Sequence, residues 1–280
     1  MSTTLPRSLA LLLALAALAP AARAADQHVT INPELAGAWL TPTGSWDGRA
    51  VLFLHGFADD MDGAGDLTKH TAEALARGGI ASLRINFRGE GDRKRTDIRS
   101  TLQTRVEDAA AAYAFLLHPA GVQAARLGVV GWSLGTATEI ETLGTHPSWF
   151  KSGIVWSSLA GDLGQFALTM PGAQQALKDG VTTQDAGWKK ITTYRNFYES
   201  FRGVDLDALL AKYPGAFLAI RGSNDFLPNR DAELVKAAPG QPVEAVLIGG
   251  ADHIFNVLAP SHPHADHAVS ITVRWMERTL

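Results

Sequence analysis

The stretch Leu127-Gly128-Val129-Val130-Gly131-Trp132-Ser133-Leu134-Gly135 decides how this chain is read. Residues 127–130 form a short apolar run of strand character, and from Leu134 to Leu143 the pattern turns helical. Ser133 stands at the junction, in a G-x-S-x-G spacing. Between a strand and a helix this spacing makes a sharp turn that forces the serine into a strained backbone conformation, and small flanking residues relieve the crowding. The amides and dipole at the start of the helix then point toward negative charge developing at Ser133. This suits acyl transfer. The plainer alternative is a serine that only caps the helix.

A serine hydroxyl is a weak nucleophile until a base removes its proton, and the base needs an acid to fix its tautomer and offset its charge. Two later loops offer both. The run Ala216 to Ile220 opens into Arg221-Gly222-Ser223-Asn224-Asp225, and the run Val243 to Ile248 opens into Gly249-Gly250-Ala251-Asp252-His253. Asp225 is the candidate acid and His253 the candidate base, in the chain order Ser, Asp, His expected of nucleophile-elbow hydrolases. Asp225 could instead serve a turn, and Asp162, after the run ending at Trp156, is a rival acid. Asp252 adjoins His253, but side chains of neighbours diverge. Donors for a tetrahedral oxyanion are the backbone amides of Phe57, in His55-Gly56-Phe57 after the run Val51 to Leu54, and of Leu134. His55 reads as a residue that fixes this loop and not as a second base.

The rest of the chain alternates strand-like and helix-like patterns. Extended segments are expected at His28 to Ile31 and Ala36 to Leu40, and continuous apolar runs at Val51 to Leu54, Ile80 to Ile85, Leu127 to Val130, Gly153 to Trp156, Ala216 to Ile220 and Val243 to Ile248. Apolarity on both faces implies a buried, mostly parallel sheet. Helices are expected over Leu67 to Arg77, ending at Gly78-Gly79, and over Thr104 to Leu117, ending before Pro119. The fold class is α/β: a mostly parallel central sheet flanked by helices. Fifty-nine residues separate Trp156 from Ala216, far more than the ~10 to 12 a minimal crossover requires. A cap insertion at about 158–212 is expected, within one domain spanning 25–280. Its aromatic residues Trp188, Tyr194, Phe197 and Tyr198, with Trp132 beside the serine, are candidate substrate contacts; alternatively, the cap aromatics bury the cap against the main domain.

Residues 1–24 read as a leader. Arg7 precedes the apolar stretch Leu9 to Leu18, and Ala22-Arg23-Ala24 has the small-x-small form of a signal-peptidase site. Cleavage would give an exported, periplasmic or secreted chain without a stable membrane anchor, its net charge moving from −3 to −5. The chain has no cysteine, so an exported domain must rely on its core and not on disulfides. A sequence pI near 6.3 and no Arg/aromatic stripe argue against nucleic-acid binding. His262, His264 and His267 lie around Pro263 with no completing carboxylate or cysteine set, so they are read as a loop and helix start, and no metal is expected.

Taken in order, His55-Gly56-Phe57, Phe87-Arg88-Gly89-Glu90-Gly91-Asp92, Gly131 to Gly135, Asp225 and His253 resemble the landmarks of the serine-type α/β-hydrolase superfamily across nearly all of the mature chain. Residues 80–93 (IASLRINFRGEGDR) and 105–116 (RVEDAAAAYAFL) resemble the branch with cinnamoyl and feruloyl esterases, monoglyceride lipases and serine aminopeptidase-like hydrolases. The resemblance implies a cap over the site, no cofactor and a small-molecule ester substrate. Glu90 departs from it, standing where a histidine is common. The leading expectation is a carboxylic-ester hydrolase working through an acyl-enzyme. The alternatives are a peptidase or acyltransferase using the same residues, or a non-catalytic binding protein on the same fold.

Overall fold

The computed structural model describes residues 26–119 and 121–280; the leader segment 1–24 lies outside the described residues. Two strands, β1 (Gln27–Asn32) and β2 (Leu35–Leu40), open the chain. They are followed by β3 (Ala50–Leu54), α1 (Leu67–Arg77), β4 (Ala81–Asn86), α2 (Leu102–Leu116), β5 (Leu127–Trp132), α3 (Leu134–Thr145) and β6 (Ser152–Trp156). The last third holds β9 (Ala216–Gly222), α8 (Asp231–Ala237), β10 (Val243–Ile248) and α9 (Pro263–Thr279). One eight-stranded sheet results, in the order β1-β2-β4-β3-β5-β6-β9-β10, antiparallel at β1-β2 and β2-β4 and parallel elsewhere.

Alternation along the central strands divides their side chains between two cores. Leu52 and Leu54 of β3 join Leu127, Val129, Phe217 and the inward faces of α2 and α3, whereas Val51 and Phe53 join Val130, Ile154, Ile220 and the inward faces of α1 and α9. The continuous apolar runs therefore mark strands covered on both faces. The run Val243 to Ile248 behaves differently: β10 is the sheet edge, and its Glu244, Ala245 and Leu247 are exposed. Helix α2 begins two residues before the start expected at Thr104, because Thr101 accepts from the Thr104 amide while the Thr104 hydroxyl accepts from the Thr101 amide. No helix among the described residues is long and apolar enough to cross a membrane.

The interval between β6 and β9 contains α4 (Leu163–Thr169), α5 (Ala173–Asp179), a hairpin of β7 (Val181–Asp185) and β8 (Lys190–Tyr194), α6 (Arg195–Glu199) and α7 (Leu206–Leu210). Since β6 and β9 are hydrogen-bonded neighbours, Ser152 opposite Ala216, the inserted segment leaves the sheet and returns to the adjacent position. Leu163, Phe197, Phe201 and Leu210 are buried in the same core as α2 and α3.

Candidate active site

Three loops after parallel strands converge at the carboxyl end of the sheet, where open α/β sheets form their crevice. The loop after β5 holds Ser133 at φ 53° and ψ −120°, a strained conformation for a residue with a side chain. Its glycines are there for space. A Cβ on Gly135 would collide with the carbonyl oxygens of Leu54 and His55, and one on Gly131 with the Gly135 carbonyl. The Ser133 amide donates to the Trp156 carbonyl at 2.9 Å, which pins the turn to β6. Its side chain makes no capping bond to α3; the hydroxyl instead lies 2.9 Å from His253 Nε2.

His253 Nδ1 lies 2.8 Å from Asp225 Oδ1. An ionised carboxylate can only accept, so Nδ1 carries the proton and Nε2 offers its lone pair to the Ser133 hydroxyl. The His253 carbonyl accepts from Trp132 Nε1 at 3.2 Å and from the Ser157 hydroxyl at 3.0 Å, so the loop is held independently of its ring. Trp132 and Phe226 flank the imidazole, with ring centroids 5.8 and 4.3 Å away.

Asp225 is itself gripped. Burial pushes its carboxyl up, but hydrogen bonds from His253 and the Leu227 amide outweigh this and hold it below the usual carboxylate range. Its Oδ2 accepts from Arg221 Nη1 at 2.8 Å. Arg221, fully buried at the end of β9, also donates to both oxygens of Asp231 and to the Ser158 carbonyl. The rival acid Asp162 caps α4 through the Gln165 amide, and Asp252 accepts from the amides of Ile254 and Asn256.

The loop after β3 runs beside the serine. A Cβ on Gly56 would stand 3.4 Å from Ser133 Cβ and 2.8 Å from the Trp132 ring, so only glycine lets the Phe57 amide come this near. Among the described residues neither the Phe57 nor the Leu134 amide has a hydrogen-bond acceptor. His55 is buried; its Nε2 accepts from the Phe87 amide at 3.1 Å, leaving Nδ1–H to donate to the Gly56 carbonyl at 2.8 Å. Burial pulls its pKa down to about 4, so the ring is neutral. Glu90 accepts from the Ala58 amide at 2.8 Å and pairs with Arg105, both side chains fully buried. Burial raises the Glu90 carboxyl, but Arg105, the Ala58 amide and the Ser100 hydroxyl hold it below the ordinary value, and it is ionised.

The candidate substrate contacts separate by position. Phe197 is buried with its ring 5.2 Å from that of Phe57. Tyr198 is buried, with its hydroxyl against Thr193 and the Pro171 carbonyl. The Tyr194 hydroxyl donates to Asp97, and Trp188 is exposed at the turn between β7 and β8. Glu90 and Arg105 lie in stretches that the sequence singles out, but their pairing and their hold on the loop of Phe57 carry no sequence signal, and neither does the grip of Arg221 on Asp225. Among the described residues no group of three or more His, Cys, Asp or Glu side chains gathers where it could hold a metal.

The family model for serine aminopeptidases, S33, matches residues 48–183. No curated protein sequence matches the chain. Among solved structures, the chain is similar to the ferulic acid complex of Est1E from Butyrivibrio proteoclasticus, at TM-score 0.74 and 18% identity over 90% of this chain and 98% of that one. It is also similar to the esterase domain of a Rhodothermus marinus protein, at TM-score 0.64 and 22% identity over 87% and 92%. A puromycin-hydrolysing peptidase of Mycobacterium tuberculosis matches at TM-score 0.65 and 18% identity, over 92% of this chain and 39% of that one. The sheet order, the serine turn and the solved neighbours agree on an α/β-hydrolase fold, and residues 48–183 of the chain are similar to the S33 serine aminopeptidase family.

Proposed function

We propose that the chain is an exported serine hydrolase that cleaves carboxylic esters through a covalent acyl-enzyme on Ser133. The observation that carries this reading is the continuous hydrogen-bond chain from Ser133 Oγ to His253 Nε2 and from His253 Nδ1 to Asp225. Ser133 Oγ attacks the ester carbonyl as its proton passes to His253 Nε2, and Asp225 stabilises the resulting imidazolium. The tetrahedral oxygen accepts from the amides of Phe57 and Leu134. Collapse breaks the bond to the alcohol, which leaves with the proton from His253. A water then gives its proton to His253 and attacks the acyl carbon, releasing the acid and restoring Ser133.

The inserted segment acts as the cap. Phe57 and Phe197 supply an aromatic wall beside the oxyanion loop, which favours a moderately apolar or aryl acyl group. The neighbours described as an esterase and as a complex with ferulic acid support an ester substrate. The S33 description and the puromycin-hydrolysing neighbour support a second reading, a peptidase using the same three residues. Export rests on the leader pattern of residues 1–24.

The test is a p-nitrophenyl ester series from acetate to palmitate, with amino-acid p-nitroanilides in parallel. Ser133→Ala should remove at least 10³-fold of the turnover, an order of magnitude expected when a triad member is lost, without changing the circular dichroism spectrum. Anilide turnover exceeding that of every ester would move the peptidase reading to first place. Absence of turnover, together with no labelling of Ser133 by a fluorophosphonate, would refute both and leave a binding protein.

A further inference from the structure

Ala58, one residue beyond the Phe57 amide, lies in the left-handed region at φ 56°, which a residue with a side chain holds only when its surroundings impose it. Two groups do so from opposite sides. Glu90 accepts from the Ala58 amide at 2.8 Å, and the ammonium of Lys189 donates to the Ala58 carbonyl at 2.6 Å. An ammonium has three donors, and the remaining hydrogen bonds of Lys189 go to the carbonyls of Arg95 at 2.9 Å and Arg93 at 3.2 Å. Its ammonium is held by these three backbone carbonyls, with the ring of the neighbouring Trp188 4.7 Å away on its own hairpin. On the other side of Phe57, Arg105 donates to the His55 carbonyl at 2.5 Å and to the Thr138 hydroxyl of α3 at 3.2 Å. The Phe57 amide is thus flanked by held peptide groups while itself lacking an acceptor.

Lys189 belongs to the inserted hairpin, just before β8. That hairpin is seated on residues 96–98 through Ile98 N–H to the Thr192 carbonyl at 2.9 Å and Thr192 N–H to the Thr96 carbonyl at 2.7 Å. We infer that Lys189 is a positioning residue for the oxyanion site: by fixing the Ala58 carbonyl it makes the placement of the Phe57 amide depend on the seated hairpin. This rests on the reading of Ser133 as the residue that carries the acyl group. The insertion then governs the rate of the chemical step as well as the fit of the substrate.

The experiment measures p-nitrophenyl butyrate turnover by the parent chain, Ser133→Ala, Lys189→Ala and Lys189→Met. Both lysine variants should lose about 10- to 100-fold in kcat with KM within about twofold, since only the transition state carries the oxyanion. Propylammonium, which replaces the missing methylenes and charge, should raise kcat of Lys189→Ala but not of Lys189→Met, whose side chain fills the space. The parent assayed in the same amine corrects for aminolysis of the acyl-enzyme. Parental kcat in a folded Lys189→Ala variant, or a lost kcat that the amine does not raise, would overturn the inference while leaving the hydrolase reading intact. Failure of both lysine variants to fold would also overturn it, in favour of a purely structural strap. A parent chain with no Ser133-dependent turnover would overturn the hydrolase reading and this inference together.

Discussion

Burial of the His55 ring between the Phe87 amide and the Gly56 carbonyl sets a pH limit on the whole chain. Its pKa falls from 6.5 to about 4, so on acidification the unfolded chain takes up this proton first. The contribution to stability is complete above about pH 6.5 and is lost as pH falls toward 4, about 3 kcal/mol in all. Urea unfolding at pH 7 and pH 4.5 should show the decline, and His55→Gln should flatten it; an equally steep decline in that variant would assign the effect elsewhere. Arg221 matters in a different way. With its guanidinium between Asp225 and Asp231, Arg221→Met leaves two acids without their buried partner and is expected to cost about 3 to 5 kcal/mol, read as a lowered urea midpoint. Ser133, Asp225 and His253 could be singled out because each stands just past an apolar run. Arg221 could not, because an arginine ending such a run looks like the first residue of a loop, and its contact with Asp231 depends on the path of the chain between them.

Helix α3 concentrates the demands of the serine turn. Gly135 faces the carbonyls of Leu54 and His55, so Gly135→Ala must push β3 away and should cost about 3 kcal/mol, with turnover falling further than the folded fraction does. One turn later, Glu139 is buried beside the amides of Gly131 and Ile154, yet neither carboxyl oxygen completes a hydrogen bond. Burial pushes its pKa well up. Because the folded value exceeds the unfolded one, stability is greatest below about pH 4.5 and declines as pH rises through the folded value. Glu139→Gln should therefore gain stability over the parent at pH 9 and little at pH 5, by urea midpoints at each. At this scale the apolar strands and the start of α3 were legible. The hairpin β7-β8 was not, because VTTQD and KITTY carry no apolar run, and their pairing depends on each other and on residues 96–98. The edge position of β10 was equally hidden, since strand order is not written in any one strand.

Among the described residues the insertion and the sheet share one hydrophobic core. Phe197, Phe201, Leu206 and Leu210 of the insertion share a core with α2 and α3, so far-ultraviolet circular dichroism and tryptophan fluorescence should give coincident thermal transitions. An earlier transition reported by Trp188 alone would contradict this. The long interval after Trp156 was legible in the sequence, but the packing of its segments into the common core depends on contacts that no local pattern specifies. The contact between Ser133 and His253 spans 120 residues, and it is closed by a loop that follows the last strand. Synthesis proceeds from the other end. In the proposed mechanism the turn of Ser133 leaves the ribosome long before its proton acceptor, so a partly made chain carries the hydroxyl without the base that would activate it. Under the proposed function, reactivity is then the last property the polypeptide acquires, and half-made chains are silent toward esters.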